Sequence, residues 1–110
     1  LVGVNVADAS QDRLVEQEWS GGDEAVGTIT LVYDHHARGV AEKLTELQHH
    51  HHDVVLAATH VHLDEKLCAE VVICRGRPAA IRAIADRLRQ QRGVLHGTLS
   101  MSSTGARLVE

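Results

Sequence analysis

From Val26 onward the apolar residues of this chain switch between a two-residue and a helical period in a fixed order, and that order admits few folds. VGTITLVY (26–33) alternates, with Ile29, Leu31 and Tyr33 on one face and Val26, Thr28, Thr30 and Val32 on the other, which predicts a strand. Over residues 35–48, Val40, Leu44 and Leu47 fall at helical spacing. Asp34 is available as the N-cap of that helix, and Gly39 inside it costs about 1 kcal/mol. DVVLAATHVHL (53–63) and LCAEVVICR (67–75) are β-rich runs joined by the polar DEK at 64–66, so they predict a hairpin. Pro78 opens a second helix at a position where its missing N–H costs nothing. Ile81, Ile84, Ala85 and Leu88 form the buried stripe of that helix, and Gly93 suits a left-handed cap at its end. VLHGTLSM (94–101) closes the series as a strand. The order β-α-β-β-α-β predicts a ferredoxin-like α+β sandwich with both helices on one face of the sheet.

At 110 residues the chain suits one domain with a modest core. Phe is absent and aromatic content is 2%, so that core must be built from Val, Leu, Ile and Ala. Residues 25–103 carry the strong pattern. Before them, residues 1–24 form an N-terminal segment: LVGVNV alternates weakly, ASQDRLVEQEW suits a short helix with Leu14 and Val15 on one side, and SGGDE (20–24) reads as a linker. Residues 104–110 read as a tail. The formal charge is −4 with histidine neutral, so no general basic field invites nucleic acid or an anionic membrane. No apolar stretch reaches the about 18 residues of a spanning helix. The opening LVGVNVADAS lacks the basic start and long apolar centre of a secretory signal. A cytoplasmic location without a membrane partner is the expectation. Cys68 and Cys74 lie on one strand at about 20 Å, too far for a disulfide, and are read as free thiols of a reducing compartment.

Histidine is the compositional outlier, with nine copies. Neutral imidazole is the commonest metal ligand near physiological pH, and the hairpin shows where a metal could sit. His60 and His62 are two apart on a strand and point to one face. A turn centred on Glu65 sets His62 opposite Cys68 and His60 opposite Glu70, with facing β-carbons about 5 Å apart. Two imidazoles and a thiolate then converge, and Glu70 is placed to take a proton from the free nitrogen of His60, as carboxylates beside ligating histidines do. A His-x-His pair alone is common on solvated strands; the cysteine in register is what raises it above that reading. Cys74 has no nearby histidine and reads as a small buried hydrophobe. The run His49 to His52 is either a source of a further ligand or a solvated helix end favoured by the helix dipole. His35, His36 and His96 are read as solvated surface.

The face of the site is also predicted. Leu67, Ala69, Val71 and Ile73 make an unbroken apolar row, expected to lie under the helices. Cys68, Glu70, Val72 and Cys74 then face away, together with Val54, Leu56, Ala58, His60 and His62. A helix-free face so apolar calls for a second subunit to cover it, so an oligomer with metal at the interface is expected.

The segments LVYDHH, LQHHHHD (47–53), ATHVHLDEKLCAE (58–70) and QRGVLHG (91–97) resemble the metal-binding half of the nickel-responsive transcriptional regulators, the NikR family. The resemblance covers about residues 25–103. It implies an ACT-like ferredoxin fold that assembles as a homotetramer. It also implies square-planar Ni(II) bound by His60, His62 and Cys68 of one subunit and His49 of its neighbour, with Tyr33, Gln48 and Glu70 at family positions near the site. A tetragonal site of imidazoles and one thiolate suits Ni(II) or Cu(II), whereas zinc prefers a tetrahedron. Family members carry a ribbon-helix-helix DNA-binding domain ahead of this half. Here RLVEQEW suits the end of that domain's last helix, but its basic, polar DNA-reading strand is not recognisable in LVGVNV. DNA is therefore expected as a partner only where such a domain is present, and the family's additional cation site between domains is not carried over.

The expected function is the nickel-binding, tetramerising regulatory domain of a transcriptional repressor, not an enzyme. The alternative is a stand-alone nickel- or copper-binding sensor or buffer without DNA contact. A metal hydrolase with Glu70 as base needs an open coordination position for water, which a fourth ligand from His49 closes.

Overall fold

The computed structural model describes residues 8–21 and 23–106; LVGVNV and the end of the tail, 107–110, lie outside the described residues. Among the described residues seven elements follow in order: α1 (Asp8–Gly21), β1 (Ala25–Asp34), α2 (Val40–His50), β2 (Val55–His62), β3 (Leu67–Gly76), α3 (Pro78–Arg89) and β4 (Val94–Ser102). The strands form one sheet in the order β2-β3-β1-β4, every neighbouring pair antiparallel. From β1 to β4 this is the ferredoxin-like α+β arrangement predicted from the periodicity.

β1 dictates which side of the sheet is inside. Its odd positions Ala25, Ile29, Leu31 and Tyr33 are fully buried. They meet Val40, Leu44 and Leu47 of α2 and Ile81, Ile84, Ala85 and Leu88 of α3 in a single core. Burying one such Leu or Ile contributes about 1.5–3 kcal/mol.

This inverts the expected faces of β3. Cys68, Glu70, Val72 and Cys74 are the buried row, and Leu67, Ala69, Val71 and Ile73 lie half-buried on the open side. The cause is the pairing of β3 with β1, which sets Tyr33 opposite Cys68, Leu31 opposite Glu70 and Ile29 opposite Val72. Paired residues share a face, so the bulkier β1 row carries the more polar β3 row inward with it. Glu70 is tolerated there because the Gln48 amide donates to it at 2.6 Å.

Local boundaries also differ from expectation. Helix α2 starts at Val40 because Gly39 adopts φ 77, a left-handed conformation that the helix interior does not accept. The Asp34 carboxylate consequently accepts from the His36 N–H at 2.8 Å within a turn and caps no helix. Ser20 and Gly21, expected in the linker, close α1. Trp19 of α1 is buried; its indole N–H donates to the Ser102 carbonyl at 2.8 Å, and Arg82 stands over its ring at 5.4 Å. Strand β2 starts at Val55 and carries an irregularity at Leu56. As an edge strand it is exposed along nearly its whole length. Gly93 is left-handed as expected, φ 98, but it lies in the turn into β4, beyond the end of α3. Among the described residues no helix is long and apolar enough to cross a membrane.

Candidate metal centre

The β2–β3 hairpin turns on Asp64, whose carboxylate accepts from the N–H groups of Leu67 at 2.7 Å and Lys66 at 2.8 Å. Those two donors hold the Asp64 carboxyl below the ordinary carboxylate range. The turn delivers the expected register, His62 opposite Cys68 and His60 opposite Glu70. All four side chains therefore share one face, the helix side of the sheet. Because β2 is the uncovered edge, His60 and His62 are exposed while Cys68 is fully buried.

His62 Nδ1 lies 3.3 Å from Cys68 Sγ, and the His60 and His62 rings meet edge to face at 5.1 Å. The nearest partner of His60 is Tyr33, whose Oη is 3.0 Å from His60 Nδ1. Glu70 stands back at 3.9 Å from that nitrogen, too far for a direct hydrogen bond. Tyr33, not Glu70, is within hydrogen-bond distance of the imidazole, while Glu70 accepts from Gln48. Burial, reinforced by the charges of Glu70 and Cys68, pushes the Tyr33 hydroxyl up to about 12. Tyr33 is therefore a neutral phenol at physiological pH. With Nδ1 of His60 occupied by Tyr33, Nε2 is the nitrogen left to meet a metal.

His49 occupies the last turn of α2 and is exposed. It lines a shallow groove with Gln48, His52, Val55 and Ala58, between the end of α2 and the β2 edge. It is not among the residues whose donor atoms converge on Cys68. His52 Nδ1 lies 3.3 Å from the His49 carbonyl, so part of the histidine run serves the helix end. His96 lies on the open face opposite Val32. Cys74 is fully buried, and burial pushes its thiol up to about 11.

One neighbour of Cys68 was not anticipated. His35, read as solvated surface, brings its Nδ1 to 3.6 Å from Cys68 Sγ, and its ring meets that of His62 at 5.0 Å. Its donor atom and those of His62 and Cys68 all lie within 4.8 Å of one another. The signal was the alternation of β1, which continues inward through Ile29, Leu31 and Tyr33 to His35. The His35 N–H donates to the Lys66 carbonyl at 2.6 Å, holding it beside the start of β3.

As a donor set, two exposed imidazoles and a buried thiol suit a borderline transition metal rather than calcium or magnesium. Comparison with known proteins agrees. Residues 26–102 match the family model described as the NikR C-terminal nickel-binding domain. A protein of Geobacter sulfurreducens named "Putative nickel-responsive regulator" is 51% identical over 104 residues, spanning 94% of this chain and 75% of that protein. One of the same name from Solibacter usitatus is 48% identical over 102 residues, 92% of this chain and 73% of that protein. Among solved structures, an uncharacterized protein from Thermotoga maritima superposes with a TM-score of 0.64 at 16% identity, over 72% of this chain and 98% of its own. The C-terminal domain of MgtC from Mycobacterium tuberculosis does so at 0.55 and 10%, over 73% and 89%. These two likenesses show the fold alone.

Proposed function

On the premise that this chain belongs to the family defined by the NikR C-terminal nickel-binding domain, we propose that it is the metal-sensing, tetramerising domain of a nickel-responsive transcriptional repressor in the cytoplasm. In this reading Ni(II) is held by His60, His62 and Cys68 of one chain and by His49 of a neighbouring copy. Tyr33, Glu70 and Gln48 orient the ligands. The observation that carries it is the approach of His62 Nδ1 to within 3.3 Å of Cys68 Sγ beside a His60 already oriented by Tyr33.

Three donors from one chain leave a planar site one ligand short. His49 projects from an exposed helix end at the same sheet edge and is available to another copy. Metal would favour the assembled arrangement that completes the square, and by linkage that arrangement would bind metal more tightly. Held to a DNA-binding region, such a domain would bias the spacing of its arms.

Nickel titration of the intact chain tests the site. The wild type is expected to give a Ni(II)–thiolate absorption band and Cys68→Ala to lose it; a band surviving the substitution removes Cys68 from the metal. The net charge of −4 favours a second reading, a nickel or copper sensor or buffer without DNA contact. A gel shift with the intact chain separates the two: absence of nickel-dependent DNA binding at physiological salt leaves the second.

A further inference from the structure

Glu18 and Trp19 are neighbours on α1, and both are buried. The Trp19 indole N–H donates to the Ser102 carbonyl at the end of β4, which brings Glu18 to the end of the sheet away from the β2–β3 turn. There Glu18 lines a cavity of about 300 Å³ with Asp23, Glu24, Arg75, Thr104 and Ala106. Arg75 is on the same strand as Cys68 but about 23 Å further along it. We propose that this cavity binds a hard divalent cation of the Mg(II) class through its water shell, with Glu18 as the anchor.

The observation that carries this is an oxygen with nothing bound to it. Glu18 is 1% exposed, and among the described residues its Oε1 is one of two buried side-chain atoms without a hydrogen-bond partner. A buried carboxylate in that condition is costly and calls for a compensating charge or donor beside it. The cavity supplies the room. Its lining carries three carboxyl groups against one guanidinium, a formal charge of −2, the complement of a divalent cation. Arg75 is already engaged, its Nε donating to Glu24 at 2.9 Å.

The lining also selects the ion. It offers oxygen and neither thiol nor imidazole, which suits Mg(II), Ca(II) or Mn(II) rather than the softer metals fitted to the hairpin. Spacing then favours magnesium. Among the described residues only His35, His62 and Cys68 bring three His, Cys, Asp or Glu donor atoms within 4.8 Å of one another. The carboxyl groups of the cavity are therefore too spread to close on a bare ion, as the six to eight direct ligands of calcium do. Mg(II) gives up water reluctantly and is held through one or two carboxylates with several waters kept. A shell of about six waters at about 30 Å³ each fits the cavity.

Trp19, the single tryptophan, reports from the next residue along. The test titrates the intact chain with magnesium chloride against sodium chloride of matched ionic strength, following Trp19 emission and melting temperature. The wild type is expected to show a saturable change in emission and a rise in melting temperature. Glu18→Gln, with folding verified by circular dichroism, is expected to bind Mg(II) about tenfold or more weakly. Arg75→Gln removes the one positive charge and is expected to bind it severalfold more tightly. A response that sodium chloride reproduces, or that Glu18→Gln keeps in full, overturns the proposal. So does a wild type that changes in neither readout. Unchanged or weaker Mg(II) binding by Arg75→Gln overturns it independently. The nickel reading stands apart: a wild type without a Ni(II)–thiolate band whose Mg(II) response still depends on Glu18 defeats that reading and leaves this site in place.

Discussion

Tyr33 shows how one buried side chain can orient an exposed histidine. It comes from an interior strand, where it is fully buried, and ends 3.0 Å from a histidine on the exposed edge of the sheet. With a metal on Nε2 of His60, Nδ1 would keep its proton and donate a hydrogen bond to the phenol oxygen. Partners of this kind fix ring orientation, and their loss typically lowers metal affinity by about 10–100-fold. Tyr33→Phe keeps the packing and removes only the oxygen. The expected result is a nickel affinity lowered by about tenfold or more with a melting temperature close to wild type, measured by competition with a chelator. Unchanged affinity assigns the orientation of His60 to Glu70 instead.

At the scale of elements, the loop between α3 and β4 is constrained both in backbone conformation and in space. Gly93 has φ 98, and a β-carbon there would lie 2.8 Å from the Ala37 β-carbon and 3.1 Å from that of Val40. Gly93→Ala therefore combines left-handed strain of about 1–2 kcal/mol with overpacking of about 1–3 kcal/mol. Thermal denaturation should show a large drop in melting temperature. Gly39→Ala, strained at φ 77 but open to solvent, should cost only the first of these. The elements themselves were legible, because period and turn chemistry are local. The hairpin register was legible for the same reason: a short turn fixes which residues face each other, so His62 could be set opposite Cys68 and His60 opposite Glu70. The sidedness of the sheet and the position of His35 beside Cys68 were not, because both depend on β3 lying beside β1, a pairing between residues far apart in the chain. Both rows of β3 are apolar enough to be inside, and only the match of Tyr33 with Cys68 decides between them.

At the scale of the whole molecule, the open face of the sheet keeps Val32, Leu67, Ala69, Val71 and Ile73 half-exposed, with Val61 at 49% exposure beside them. Inverting the expected faces thus leaves an apolar surface still to be covered, consistent with assembly. It also separates that surface from His60, His62 and Cys68, which lie on the other side at the β2 edge. Whether His49 reaches the metal across a subunit boundary can then be asked of mixtures. His49→Ala lacks one ligand and Cys68→Ala another, and neither should bind nickel in planar form alone. If His49 served its own chain, no mixture of the two would hold an intact site. If it serves a neighbour, a His49→Ala chain supplies Cys68 while a Cys68→Ala chain supplies His49. Random assembly of equal amounts, after co-refolding, should then restore about a quarter of the wild-type sites, since each requires one particular chain as acceptor and the other as donor. The recovered Ni(II)–thiolate absorbance measures that fraction. Recovery near zero from mixed oligomers would remove the shared site, and with it the link between metal binding and assembly.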